Sequence, residues 1–453
     1  MIQPSILIGG ILMRPFPFGT AALSILILAV LSGAWIASHP PEERRATLKF
    51  WTFAPTHFDA YQKALPAFEK ENNCKVDLQL VVRQAVTARL QAALWADLDV
   101  PDIVEIPIDF AGTFFRGPLD HVGFIDLTDR IQQAGLKEGM VSARFAPYTS
   151  RGRIFGLPHD VHPVMLAYRR DIFAQKGVDV SRIQTWDDFI RIGQKLTIPN
   201  KRYMLELFDT RAAHLEMCLF QRGGGYFSPQ GDCIFDNETG VQTMLWFVPL
   251  VAGAKKISSN LGTGQILTQA VEDGYFLSLV CPDWRSKVLE KDIPKMAGKM
   301  ALMPLPAVAP GGRRTSTWGG TMLGITKHSK DPDLAWKLAL HLYLNKPDLG
   351  ERFHDTNIIP ALRAAWQQPA FAEKRPYWSD QPLGELYAAL APQAPHQYTS
   401  AFITKANEKL GEALVDCVQR YKASGDADFE PYVRTRLKQS ADQVRLLIRR
   451  NPY

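Results

Sequence analysis

The chain has 453 residues, of which 46% are hydrophobic and 22% charged, and a formal net charge of +6. That length exceeds one compact core and points to two domains or more. The basic residues are scattered and not interleaved with aromatics, which argues against nucleic-acid binding and leaves "RLLIRR" near the C-terminus as the solvated face of a last helix.

Residues 1–41 carry one charged side chain, Arg14, followed by "AALSILILAVLSGAW". A positive charge, an apolar run and closing small residues have the layout of an export signal. Ser32 and Ala34 supply the small residues for cleavage after Ala34, so residues 1–34 read as a signal peptide or signal anchor. A start at Met13 gives an even more regular signal, "MRPFPFGTAALSILILAVLSGA". The alternative is an uncleaved anchor, because Ala21 to Ala37 is close to the lower limit of a spanning helix. Acylation of a lipoprotein-type cysteine is not expected, since Cys74 is the first cysteine. Cys74, Cys218, Cys233, Cys281 and Cys417 fit neither a CxxC metal cage nor a dense disulfide scaffold. Cys218 and Cys233 flank one Gly-rich turn and form the expected disulfide, with the other thiols free.

Past the signal, "ATLKFWTF" alternates into a strand and "HFDAYQKALPAFEKEN" has helical spacing. "CKVDLQLVV", "AVTARLQAALWADL" and "PDIVEI" repeat the alternation as strand, helix and strand. This pitch predicts βαβ units and a parallel sheet, with Trp51, Glu105 and Asp109 on the rim at the carboxyl ends where such sheets bind ligands. "GRIFGLPHDVHPVMLAYRRDIF" then breaks the pattern: Gly156 and Pro158 punctuate it, and Pro163 predicts extended geometry for His162. In "TWDDFIRIGQKL", Thr185 and Asp188 predict a reciprocally capped helix start. "QRGGGYFSPQGDCIFDNE" reads as a hairpin, and "YFLSLVCPDW" as a buried strand ending on Asp283 and Trp284. "TMLGIT" is a strand, "KDPDLAWKLALHLY" a helix capped by Asp331 with Pro332 at its first position, and the pattern from Leu383 onward is largely helical. Segments of α/β type on both sides of the break near 160, and a late strand–helix unit at 318–345, predict a chain that crosses between two lobes more than once.

The sequence carries no GxSxG elbow, P-loop or dinucleotide fingerprint, and "RGGGYF" lacks the Lys/Ser ending that cradles phosphate. Glu105 and Asp109 are the candidates for a glycosidase carboxylate pair, but acidic strand ends are common to α/β proteins. "HDVH" (159–162) offers two imidazoles and a carboxylate. An extended segment does not place both rings on one face as helical spacing does, so it reads as a polar hinge segment at a cleft mouth and not as a metal site. What remains is aromatic and hydrogen-bonding: Trp51, Trp284 and Trp318, with Glu105, Asp109, His159 and Asp160. Sugars, with apolar C–H faces and a ring of hydroxyls, are held by such aromatic faces and carboxylates.

The order of these pieces resembles the extracellular solute-binding proteins of family 1, the sugar-capturing subunits of ABC importers. "LKFWTF", "PAFEKENNCKVDLQL" and "PDIVEI...DFAGTFFRGPLDHVGFIDLTD" are similar to that family's first lobe. "GRIFGLPHDVHPVMLAYRRDIFAQKGVD...TWDDF" is similar to the crossing into the second, "WGGTMLGITKHSKDPDLAWKLALHLY" to the return crossing, and "IIPALRAAW" to the third. The resemblance runs from about residue 46 and implies an α/β fold of two lobes joined by hinge crossovers around a ligand cleft, as in periplasmic binding proteins. The lobes it implies are 46–160 plus 318–357 and 161–317 plus 358–453. It implies ligand contacts from Trp51, Glu105, Asp109, Trp284, Trp318, Gly319, Gly320 and Arg363, joined by His159 and Asp160 of the crossing. Also implied are a carbohydrate or polyol ligand, permease subunits as partners, a monomer, a periplasmic location, and no cofactor, metal or covalent chemistry. Two departures stand out: Tyr168-Arg169-Arg170 where the family commonly has Tyr-Asn, and "HDVH" in place of a more neutral crossing. They leave open an unusual polyol or an amino, acidic or phosphorylated sugar. The alternatives from other classes are a ligand sensor held at the membrane by an uncleaved signal and a glycan-cleaving enzyme with Glu105 and Asp109 as acid and base.

Overall fold

The computed structural model describes residues 19–38 and 48–451. Met13, Arg14 and the first two residues of the expected first lobe lie outside the described residues. Gly19–Ser38 is a helix of 20 residues in a unit of its own, and the remaining chain from Leu48 forms the second unit. Among the described residues no helix is long and apolar enough to cross a membrane.

The second unit is built on two five-stranded sheets. Its strands in chain order are β1 (Leu48–Thr52), β2 (Val76–Leu80), β3 (Ile103–Pro107) and β4 (Leu157–Pro158), followed by β5 (Val164–Arg169), β6 (Leu205–Glu206) and β7 (Ser258–Ser259). β8 (Ser278–Pro282), β9 (Met300–Pro304) and β10 (Thr321–Ile325) complete them. The first sheet runs β2-β1-β3-β10-β4 and the second β9-β5-β8-β6-β7. β1, β2 and β3 are parallel, as the βαβ spacing predicts, but the sheet as a whole is mixed. β10 returns from the second sheet and runs antiparallel to both β3 and β4, with Leu323 opposite Glu105.

Helices cover both faces of the first sheet, so its inner strands β1 and β3 are buried on each side while the edge strand β2 is partly exposed. Leu48 and Phe50 face Tyr61, Leu65 and Phe68, while Trp51 faces Val86 and Leu90. Helix Pro55–Asn72 starts with Pro at its first turn, buries His57, Tyr61, Leu65 and Phe68 on one stripe, and stops at Asn73 in left-handed geometry, φ 47°. In β5 the same alternation sends Val164, Leu166 and Tyr168 into the core of the second sheet, and Met165 and Ala167 into the other core. The predicted capping box of Thr185 with Asp188 is formed, and Asp331 accepts from Leu334 N at 2.9 Å. Helices Ile403–Ser424 and Phe429–Arg450 close the second sheet's core.

Three chain crossings lie side by side between the sheets. Asp160 bridges to Pro360, and Pro163 to Thr317. Val161 N donates to Ile359 O at 3.0 Å, and Val164 N to Ser316 O at 3.2 Å. Within the middle crossing His162 is not extended: its φ is +53°, in the left-handed region. Contacts of its ring to two carboxylates hold it there against the extended preference that Pro163 imposes. The expected hairpin after Arg222 is reduced to one bridge, Phe227 to Cys233, flanked by backbone bonds from Ile234 N to Tyr226 O and from Ser228 N to Asp232 O, both 2.9 Å. The expected Cys218–Cys233 disulfide is absent. Both are free thiols, each packed separately into the core of the second sheet, where burial pushes each thiol up to about 12.

Candidate ligand-binding site

Strand β8 ends at Pro282 and helix Asp283–Asp292 starts at the next residue, so the Trp284 indole stands at the sheet's carboxyl end. Its Nε1 donates to Trp318 O at 2.9 Å, and the two indoles meet edge to face with centroids 5.6 Å apart at 67°. Both rings are partly exposed. Behind Trp318 stand the His214 ring, 4.9 Å away, and the Arg285 guanidinium, 5.9 Å from the indole centroid. His214 is itself stacked on Phe208 at 4.1 Å and 8°, and burial, then the charges of Arg285 and Arg211, hold its pKa well below the usual range, so of this backing the His214 ring is neutral and Arg285 carries the charge.

The glycines after Trp318 are required by their surroundings. Gly319 has φ +105°, and a Cβ there would lie 3.0 Å from His162 Cδ2 and 3.2 Å from Trp284 Nε1. Gly320 has φ +151°, and a Cβ would collide with Arg144 Nη2. Bare backbone therefore passes between the aromatic wall and the middle crossing, with both glycines in the left-handed half of φ space.

Beneath Gly319 lies a buried charge cluster. His162 Nδ1 is 2.6 Å from Asp283 Oδ1, and its Nε2 is 3.1 Å from Asp160 Oδ2. Asp283 also accepts from Trp284 N at 2.7 Å and, through its other oxygen, from Ile359 N at 2.7 Å. Asp160 accepts from Thr321 N at 3.3 Å and faces Arg144 Nη2 at 3.6 Å. Burial alone would discharge His162, but the two carboxylates outweigh it and raise its pKa to about 9. Asp160 is likewise buried, yet His162 and His159 hold it well below the usual carboxylate range. One imidazolium thus ties the middle crossing to the helix that carries Trp284 and, through Asp283, to the third crossing.

A second cluster lies toward the first sheet. Glu105 is fully buried and accepts from Thr52 Oγ1 at 2.5 Å, Tyr61 OH at 2.5 Å and Tyr343 OH at 2.8 Å, with His57 Nδ1 2.9 Å away. Burial raises its pKa, but His57 and the donors outweigh that and hold it at about 2. The His57 and His159 rings lie 4.0 Å apart, and His159 Nδ1 is 3.1 Å from Asp160 Oδ2. Burial, then the charge of His57, depresses His159 to about 4. The ligating atoms of His57, Glu105 and His159 lie within 4.8 Å of one another, close enough to share a metal ion. The donor set does not fit one: the Arg352 guanidinium stands 3.2 Å from His159 Nε2, and both Glu105 oxygens are occupied.

Of the residues singled out in the sequence, Trp284, Trp318, Gly319, Gly320 and Asp160 meet at one place, with His159 one shell beneath. Trp51 does not join them. It is 1% exposed, packs on helix Arg83–Ala96 with the Arg89 guanidinium 4.1 Å from its ring, and its Nε1 has no partner. Strand alternation turned it into the core and not onto the rim. Glu105 is equally inaccessible, pointing into the network above. Asp109 lies beyond the end of β3, exposed and doubly bonded by Arg83 Nη2 at 2.8 and 2.9 Å. Glu216, on helix Ala213–Gln221, is raised to about 8 by burial and then by the charge of Asp109. Arg363 is exposed and lines a separate cavity. Sequence reasoning passed over Asp283, Arg144, Arg352 and Glu216 as site residues and used His162 only as part of "HDVH". For His162 and Asp283 the available signal was position: each falls at a strand end or crossing.

Residues 54–346 match the family described as Bacterial extracellular solute-binding protein. The arabinooligosaccharide-binding protein of Bacillus subtilis (strain 168) is 27% identical over 318 residues, 69% of this chain and 72% of that one. A protein of the same name from Halalkalibacterium halodurans is 24% identical over 343 residues, 74% of this chain and 76% of that one. Among solved structures, the sugar-binding protein MalE from the phytopathogen Xanthomonas citri superposes with a TM-score of 0.74 at 16% identity, covering 89% of this chain and 99% of that chain. With two sheets joined by three crossings and a family match over more than half its length, the chain belongs to the bacterial extracellular solute-binding proteins.

Proposed function

We propose that this protein captures a carbohydrate or polyol between its two lobes and delivers it to the permease of an ABC importer. The observation that carries this is the edge-to-face pair of Trp284 and Trp318, partly exposed and followed by bare backbone at Gly319. One indole face suits the C–H side of a sugar ring, while nearby backbone groups suit its hydroxyls. The relatives' names point the same way, to arabino-oligosaccharides. An acid–base pair of Glu105 and Asp109 has little support, because four donors hold the first and Arg83 pairs the second. The lobes are 46–160 plus 318–357 and 161–317 plus 358–453, a division supported by β10 joining the first sheet. The apolar run before Trp35 is an export signal that sends the protein to the periplasm.

A thermal-shift screen of arabino-, galacto- and malto-oligosaccharides and polyols tests this. A ligand at about 100 times its Kd adds about 2.7 kcal/mol. An unfolding entropy of about 2.1 cal/mol/K per residue over roughly 400 residues turns that into a rise of about 3 °C. A rise of about 3 °C with a neutral saccharide is expected in the parent, cut to about half or less in Trp318→Ala at the same ligand concentration. No response to any carbohydrate contradicts it.

A further inference from the structure

Apart from the aromatic wall, a cavity of about 410 Å³ opens beside the third crossing. Arg313, Arg363, His396, Ser142 and Gln393 line it. An adjoining cavity of about 360 Å³ shares the Gly311-Gly312 turn and Gln393 and adds Arg314. Neither lining contains an Asp or a Glu. Arg313 and Arg314 are held in place without being neutralised. Arg313 Nη1 donates to Phe220 O at 3.1 Å, and Arg314 donates to Ile183 O at 2.9 Å and Gln184 Oε1 at 2.8 Å. Among the described residues Arg363 has no hydrogen-bond or ion-pair partner. Carbonyls orient a guanidinium but leave its charge uncompensated, and burial of Arg313 and Arg314 makes that charge costly. A planar oxyanion relieves the cost, because it accepts the paired N–H groups of a guanidinium at good geometry.

We propose that this cavity is a second ligand site, separate from the aromatic wall, which takes the carboxylate or phosphate of a small anion between Arg313 and Arg363. His396 and Ser142 supply further donors from the same wall. The chemistry shared by a sugar acid and a phosphate is an oxyanion with at least two exposed oxygens. The Arg pair recognises that group, and the polar Gln393 and Ser142 suit whatever hydroxyls it carries.

The test is calorimetric titration of the full chain with sodium glucuronate and, separately, with inorganic phosphate, at constant ionic strength. Saturable binding of at least one probe is expected, with affinity falling about tenfold in both Arg313→Ala and Arg363→Ala, as expected for loss of a charge-assisted contact. Arg363→Lys keeps the charge without the fork and is expected to fall between. Lys176→Ala removes the same charge from an exposed site on another element and leaves binding unchanged. Glucuronate alone identifies a sugar acid as the natural source, and phosphate alone a phosphate. Absence of saturable binding with both probes, or binding that survives both arginine substitutions, overturns the proposal. The neutral-saccharide response of Arg313→Ala is measured in parallel, so a failure of this site is distinguishable from a failure of the sugar cleft.

Discussion

Replacing His162 with Gln removes the one cation that touches both Asp160 and Asp283, each of which is fully buried. Breaking a buried pair by deleting one partner costs about 3–5 kcal/mol. Here the lower end applies, because Asp160 keeps Arg144 and His159, and Asp283 keeps two backbone N–H groups. A second route gives the same size. A rise from 6.5 to about 9, at 1.36 kcal/mol per pH unit, corresponds to about 3 kcal/mol. For roughly 400 residues that is a loss of about 4 °C in Tm near neutral pH.

The sign of the pH dependence follows from the direction of the shift. His162 binds its proton more tightly folded than unfolded, so its contribution is complete below pH 6.5 and is lost as pH rises through about 9. Differential scanning calorimetry of the parent and His162→Gln at pH 6 and pH 10 therefore should show a gap of about 4 °C that shrinks by more than half at the higher pH. His159, three residues earlier, does the opposite. Its pKa falls to about 4, so the stability it contributes is present above pH 6.5 and is lost as pH falls toward 4. His159→Gln should flatten that acid limb and leave the alkaline one. Asp160 and Asp283 face His162, Arg144 and His159 stand on Asp160, and all remain in the variant. A gap that is the same at both pH values, or smaller than about 1 °C at pH 6, refutes a charged His162 held between Asp160 and Asp283.

Gly319→Ala places a Cβ against His162 and the Trp284 indole at φ +105°, which costs about 1–3 kcal/mol of backbone strain and moves the wall. Calorimetry should show the stability loss together with a weaker saccharide response, whereas Gly298→Ala, at φ +73° with nothing near its Cβ, should lose stability alone. The cysteines are all buried, and four of the thiols are pushed up to about 12, so a thiol reagent should label none of those four quickly in the native chain. Mass spectrometry should find Cys218 and Cys233 both reduced when the protein is purified under oxidising conditions.

Local chemistry was legible in the sequence wherever a few adjacent residues decide the outcome. The Thr185–Asp188 box, the Asp331–Pro332 start and the first three parallel strands follow from short patterns. The positions of Trp284 and Trp318 beside strands were legible for the same reason. Trp51 was misjudged because period-2 alternation puts one face of β1 against each core, and nothing local says which helix covers it. Glu105 was misjudged for a related reason: the donors that bury it, Tyr61 and Tyr343, lie 44 and 238 residues away. The left-handed turn at His162 was hidden by Pro163, whose preference is overridden by carboxylates that only the folded chain brings together.

The central claim is that a saccharide lies against the Trp318 indole, and titration calorimetry of the tightest-binding oligosaccharide against the parent and Trp318→Ala tests it most directly. The account predicts an affinity loss of at least about tenfold, about 1.4 kcal/mol, from removal of the stacking face. An unchanged Kd in a variant that retains its fold contradicts it.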